Sequence, residues 1–376
     1  MKYEFIDLKK QYEILGEEIR AGINDVLTSA RYINGPQVGE LEKALSEYMG
    51  VKETVACGNG TASMEMALMA LNVGPGDAVF CPAFTFIATA EVAALRGARP
   101  IFVDIDPRTY NLDPQDLENK IIEVKRRGNF RPRGVIPVDL FGLPADYPAI
   151  EALAQKYELF VLEDAAQGFG GRIGQMTAGS FGLIGSTSFF PAKPLGCYGD
   201  GGAVMCKEPI IAQRLRSIRA HGAGGHKYEH VRLGTNSRLD TVQAAVLLVK
   251  LRAFPGELIE RQRVAARYSL NLKSCLVTPF VPEGYFSSWA QYTVRVPAGR
   301  REALMAALAE RGVPTMIYYP KPLHLQPAFA DLGGREGDLP HSEQASREVL
   351  SLPMHPYLTD AEVDAISADL LDILGD

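Results

Sequence analysis

Leu159-Phe160-Val161-Leu162-Glu163-Asp164-Ala165-Ala166-Gln167 is the stretch on which the fold turns. It opens on an uninterrupted apolar run, the mark of a strand buried on both faces. The run gives way to acids, with Asp164 at the strand's carboxyl end and Gln167 three places on. Upstream, Tyr147 to Tyr157 has helical spacing, and Val135 to Val138 reads as a strand. The alternation continues toward the amino terminus. Strands are expected at Thr54 to Cys57, Ala78 to Cys81 and Pro100 to Val103, with helices at Ala62 to Leu71 and Ile87 to Leu95. Asp113-Pro114 caps a further helix carrying Leu117, Ile121 and Val124. Beyond Gln167, strands fit at Ser186 to Phe189 and Gly202 to Met205. Short apolar strands alternating with helices predict an α/β fold, a mainly parallel sheet with helices on both faces.

Two amphipathic helices precede this unit, one through Ile19, Ile23 and Val26, the other through Val38, Leu41 and Leu45, separated by Asn34-Gly35-Pro36. After Leu239 the pattern changes. Thr241 to Leu251 is an apolar helix, Phe254-Pro255-Gly256 is expected to break it, and a charged helix follows from Leu258 to Leu272. Strands at Tyr292 to Val296 and Thr315 to Tyr318 alternate with helices at Arg301 to Arg311 and Asp360 to Leu374. These patterns place a large domain at residues 1–254 and a smaller C-terminal α+β domain at 255–376.

Composition narrows the function. In 376 residues, 39 Lys and Arg face 45 Asp and Glu, a net charge of −6, so no basic excess exists to engage a nucleic-acid backbone. No apolar run reaches the roughly 18–20 residues of a membrane span. The start, Met1 to Leu15, is too acidic for a secretory leader. The five cysteines include no CxxC pair, which argues against a disulfide framework or a structural zinc site and for reduced thiols in the cytoplasm.

A parallel sheet binds ligands outside the carboxyl ends of its strands, and three segments there could do chemistry. Gly58-Asn59-Gly60-Thr61-Ala62 joins a strand to a helix; it suits an anion cradle, and equally a tight turn with Thr61 as helix cap. Asp164 could be a buried functional acid or another cap. Lys193 follows a strand and precedes a glycine-rich run. A lysine is ordinarily a solvated charge, but Phe189, Phe190 and Leu195 surround this one, a setting that lowers an amine pKa. Together they meet the needs of pyridoxal 5'-phosphate: a phosphate cradle, a carboxylate for the pyridine nitrogen and a lysine for the aldehyde.

Across essentially its whole length the sequence resembles the DegT/StrS-type sugar aminotransferases, fold-type I pyridoxal-phosphate enzymes. The resemblance runs through Phe5 to Leu8, Asn34 to Pro36, Gly58 to Ala62, Pro82 to Thr89, Glu163 to Gln167, Ser188 to Ala203, Gly234 to Asp240 and Tyr319 to His324. It implies a mostly parallel seven-stranded-type sheet sandwiched by helices. It also implies a homodimer with shared active sites, an amino-acid donor (most often glutamate) and a nucleotide-linked keto sugar as acceptor. Lys193 matches the Schiff-base lysine. Asp164 matches the partner of the pyridine nitrogen, and Gln167 the neighbour of the phenolic oxygen. Gly60, Thr61 and Ser188 match the phosphate cradle, and Phe86 the ring-stacking aromatic. Asn236 matches a phosphate ligand reaching into the partner subunit's site. Arg238, Tyr319 and His324 fall in segments that line the sugar-nucleotide cleft.

The runs Phe189 to Ala203 and Gly234 to Asp240 most resemble the branch acting on UDP-2-acetamido-2-deoxy-3-oxo-glucuronate, for surface polysaccharides such as lipopolysaccharide. Several relatives carry His-Tyr-Pro where this chain has Tyr318-Tyr319-Pro320, and a 4-keto-6-deoxy nucleotide hexose is the alternative acceptor. The sugar dehydratases of the family carry His at the lysine position. From another class, an NAD-dependent sugar dehydrogenase would use Gly168-Phe169-Gly170-Gly171-Arg172-Ile173-Gly174, whose last glycine falls one place late for the dinucleotide fingerprint. His226 and His230, near His221, are spaced i, i+4, but in a glycine-rich run that does not suggest a metal site.

Overall fold

A computed structural model describes residues 2–226 and 228–375. Its centre is a seven-stranded sheet in the spatial order Glu53–Cys57, Gly202–Cys206, Ile184–Ser188, Phe160–Asp164, Arg131–Val135, Asp77–Pro82, Arg99–Val103. Only Gly202–Cys206 runs against the others. The fold is therefore α/β with a mostly parallel sheet, as the alternation predicts. Two apolar layers hold it. On one side Val79, Cys81, Ile136 and Leu162 meet the helices Gly60–Ala70 and Ala88–Leu95. On the other, Phe80, Val135 and Val161 meet Pro114–Arg127 and Tyr147–Tyr157. Capping starts these outer helices where the sequence places them: Asp113 and Asp146 accept backbone N–H groups, each with Pro in the first turn.

Three sequence expectations need correction. The fourth strand lies at Arg131–Val135; Ile136 to Val138 continues it only through Ile136 N–H donating to the Phe80 carbonyl and a bridge from Val138 to Asp164. Thr315 to Tyr318 forms no strand beyond a bridge from Met316 to Ser351, on the edge of Val349–Leu352 opposite its partner Tyr292–Arg295. The expected break at Pro255 is absent: one helix runs Thr241–Leu272. An interior proline costs about 3 kcal/mol. Here Pro255 faces solvent while Phe254 and Leu258 are buried in an apolar cluster with Leu41 and Leu45 of the helix Pro36–Met49. Tertiary burial outweighs the lost hydrogen bond.

The same helix enters a separate apolar cluster through Val264, Tyr268 and Leu272, which meet Tyr292, Leu304, Leu350 and Ile366 of the C-terminal segment. Among the described residues no helix is long and apolar enough to cross a membrane.

Candidate active site

The carboxyl ends of the parallel strands open on a cleft of about 730 Å³. Asp164 terminates the strand Phe160–Asp164 at its floor and is buried. Its Oδ2 accepts from Thr89 Oγ1 at 2.9 Å and its Oδ1 from Ala166 N–H at 3.2 Å. Burial raises the carboxyl pKa, against the opposing effects of these two donors and of Lys193. A cation placed against Asp164 would restore its charge.

Lys193 lines the same cleft, in a turn where its N–H donates to the Phe190 carbonyl at 2.8 Å. Burial lowers its amine pKa, and the Asp164 charge partly restores it. Acid and amine thus face one cavity and act on each other, which the sequence could propose but not place.

The anion cradle forms where the helix Gly60–Ala70 begins. Asn59, not Thr61, is the cap: its side chain accepts Ala62 N–H at 2.8 Å. The Thr61 hydroxyl is thereby left for the cleft, which Thr61 lines together with Gly60 and Ser188. A Cβ at Gly60 would lie 2.7 Å from the Ser188 Cβ, so only glycine lets the helix start approach the strand end this closely. A helix start with free N–H groups beside two hydroxyls is a phosphate site in chemical terms.

Phe86 is 54% exposed on the wall of the cleft, where a ligand can cover it. Gln167 is buried; its Oε1 accepts Phe141 N–H at 2.8 Å and its Nε2 donates to Tyr319 Oη at 3.1 Å. Tyr319 lines the cleft beside Phe86, ring centroids 6.3 Å apart. Burial and the nearby Asp164 charge raise its hydroxyl pKa, so it stays a neutral donor.

Three expected residues are not brought to this cleft within one chain. Asn236 is exposed. Arg238 is half-buried with its Nε unpartnered. His324 corrects the reading taken from its neighbourhood to Tyr319: the short turn Leu323–Leu325 buries it, Nε2 3.1 Å from Glu343 Oε1, on a different cleft beside Arg99 and Lys120. Sequence reading missed Thr89 and Asn59. Thr89 had a signal, since it lies one helical turn after Phe86; Asn59 had the cap signature of Asn before a helix.

The glycines at 168–174 lead into a small antiparallel sheet of Arg172–Ile173, Met176–Thr177 and Tyr285–Phe286, not into a helix, so the dinucleotide fingerprint has no structural basis. Among the described residues no cluster of His, Cys, Asp and Glu could hold a metal ion.

Beside Asp164, Glu163 is fully buried and feels the charge of Asp139. Glu163 also accepts Gly179 and Phe181 N–H, while Asp139 accepts Tyr147 Oη–H at 2.8 Å and Ala145 N–H at 3.1 Å. Asp139 Oδ2 has no hydrogen-bond partner, so a proton held between the two carboxyls would satisfy it. Burial and the Asp139 charge hold the Glu163 pKa well above the carboxylate range. A raised acid stabilises the fold below its unfolded pKa, about 4.3 for Glu, and that stability is lost as pH rises through the folded value. In Glu163→Gln the amide NH2 stands in for that proton at the cost of one of the two acceptors that Gly179 and Phe181 N–H use. Its melting temperature is expected to be lower at acid pH but to fall less than the parent's toward neutral pH. Parallel calorimetric curves would contradict the shared proton.

An amine and a carboxylate that share a cleft with an anion cradle at the carboxyl ends of a parallel sheet suit pyridoxal-phosphate chemistry. The chain belongs to the DegT/DnrJ/EryC1/StrS aminotransferase family, whose model matches residues 13–371. It is 49% identical over 368 residues to the UDP-2-acetamido-2-deoxy-3-oxo-D-glucuronate aminotransferase of Pseudomonas aeruginosa, covering 98% of this chain and 99% of that one. A DegT DnrJ EryC1 StrS aminotransferase from Brucella abortus superposes with a TM-score of 0.97 at 48% identity, over 100% of both chains. NtdA from Bacillus subtilis, solved with bound cofactor PMP, superposes with a TM-score of 0.89 at 30% identity, over 99% of this chain and 83% of that one.

Proposed function

We propose that this aminotransferase moves an amino group from an amino acid, glutamate by family habit, to UDP-2-acetamido-2-deoxy-3-oxo-glucuronate, with pyridoxal 5'-phosphate held in the cleft. The observation that carries the reading is the placing of Lys193 and Asp164 on one cavity. The residues fit the cofactor: Gly60, Thr61 and Ser188 offer donors to its phosphate, Asp164 an acceptor to its ring nitrogen, and Phe86 a face for its ring. When bound, the cofactor supplies an electron-accepting ring and a carbon that carries nitrogen from donor to acceptor. Asp164 keeps a proton on the ring nitrogen. Lys193 Nζ takes the proton from the donor Cα, and its lowered pKa leaves more of it free to act as base. Gln167, fixed by Phe141 and Tyr319, holds the edge of the ring.

Asn236 and Arg238 sit outside the cleft of their own chain, and Leu233 beside them is 88% exposed. This supports a homodimer in which both residues complete the partner's site. Arg238 has no ion-pair partner among the described residues, and its guanidinium suits a bidentate bond to the sugar carboxylate. Arg238→Ala is expected to raise KM for the acid sugar roughly 10- to 100-fold, the size of a charge-assisted pair, and to spare a 4-keto-6-deoxy sugar. Equal loss on both would assign Arg238 another task. The product, a 3-amino sugar, suits surface polysaccharide assembly in the cytoplasm, where the five free thiols stay reduced. The separate C-terminal core supports division into domains at 1–254 and 255–376, with the helix Thr241–Leu272 shared between them.

The test is to load the protein with pyridoxamine phosphate and add a panel of nucleotide keto sugars. Amination of the UDP-linked 3-keto acid sugar is expected to be fastest. Failure with every sugar would end the reading.

A further inference from the structure

The helix Thr241–Leu272 carries a lysine that the reaction does not use. Lys250 is 2% exposed, and among the described residues no carboxylate comes within ion-pair distance of it. Its Nζ donates to the Gly196 carbonyl at 2.8 Å and stands 4.2 Å from the centre of the Tyr198 ring. Two helical turns earlier, Gln243 accepts Tyr198 N–H at 2.8 Å and donates to the Tyr198 carbonyl at 3.3 Å. Both side chains lie on one face of the helix. Together they seize the backbone just past Lys193.

The grip reaches Lys193 through rigid parts. A Cβ at Gly196 would lie 2.5 Å from the Pro191 carbonyl oxygen and 2.7 Å from that of Phe190. The Phe190 oxygen is the one that accepts Lys193 N–H. Cys197 N–H closes the turn onto the Phe189 carbonyl at 2.8 Å. Moving Gly196 therefore moves the turn that carries Lys193. Burying an ammonium is costly, and here burial pushes the Lys250 pKa down to about 8, with Glu257 and Cys197 opposing the shift. A methionine would fill the same space without that cost, so the cation points to a task that a purely apolar residue does not perform.

We infer that Lys250 is a positioning residue: its ammonium holds the 190–199 turn against the helix Thr241–Leu272, and so fixes where the Lys193 amine stands in the cleft. The inference rests on the proposed role of Lys193.

The experiment compares the parent with Lys250→Met, Lys250→Gln and Lys250→Arg, each freed of cofactor. Two quantities are read: hydrogen exchange of the 190–199 amides, and the rate at which added pyridoxal 5'-phosphate becomes fixed to Lys193, trapped by borohydride and located by mass. In Lys250→Met both are expected to worsen about tenfold, the size of one charge-assisted hydrogen bond, while amides of the helix Thr241–Leu272 keep their protection. Lys250→Arg should restore at least half of the loss on a logarithmic scale. Lys250→Gln, which keeps a neutral donor, should fall between. Parent-like exchange and fixation in Lys250→Met, or in Lys250→Gln where the first variant does not fold, would overturn the inference and leave the function standing. Fixation of the cofactor to another lysine in the parent would overturn both.

Discussion

Lys193→Met is expected to lower transamination by about 10⁴-fold, the upper range for a positioned acid–base group, with the melting temperature close to the parent's. Methionine is one atom shorter than lysine and suits its apolar neighbours, so the turn closed by Lys193 N–H and Cys197 N–H survives. What disappears is the nitrogen: the attachment point of the cofactor and the base for the donor Cα. Single-turnover assays with the cofactor supplied in excess separate these losses from simple failure to bind. A variant with a tenth of parental turnover would place the base elsewhere.

Asp164→Asn should cost roughly 10²- to 10³-fold, the scale of a lost electrostatic partner in a buried site. The exchange is isosteric, and the amide oxygen can still accept from Thr89 Oγ1. The negative charge opposite the ring nitrogen is gone. A second consequence has a definite sign. The Asp164 charge raises the Lys193 pKa against burial. Without it the amine pKa falls further, so the acidic limb of the pH–rate profile moves to lower pH. An unchanged limb would mean the two groups do not sense each other.

Much of this architecture is legible in the chain because local and tertiary signals agree. Leu159 to Leu162 is apolar on both faces and lies at the sheet's centre; Asp113 and Asp146 cap helices that also carry Pro in the first turn. The errors arise where tertiary packing overrides a local signal. Pro255 reads as a helix end, yet the burial of Phe254 and Leu258 carries the helix through it. Arg-Pro-Arg-Gly-Val at 131–135 has too little apolar character to read as a strand, and becomes one between Asp77–Pro82 and Phe160–Asp164. In the site, Lys193, Asp164 and Gly60 to Ala62 stand out because each ends or follows a strand. His324 misleads because nearness in sequence to Tyr319 says nothing about the turn that takes it to Glu343. Lys250 was invisible, since a lysine within an apolar helix pattern gives no sign of the carbonyl it meets.

The bond between Lys193 and the cofactor can be read chemically. The protein is saturated with pyridoxal 5'-phosphate, reduced with borohydride, digested and mapped by mass. A single pyridoxyl adduct on Lys193, lost in Lys193→Met, is the predicted result. An adduct on any other lysine, or none at saturating cofactor, would contradict it.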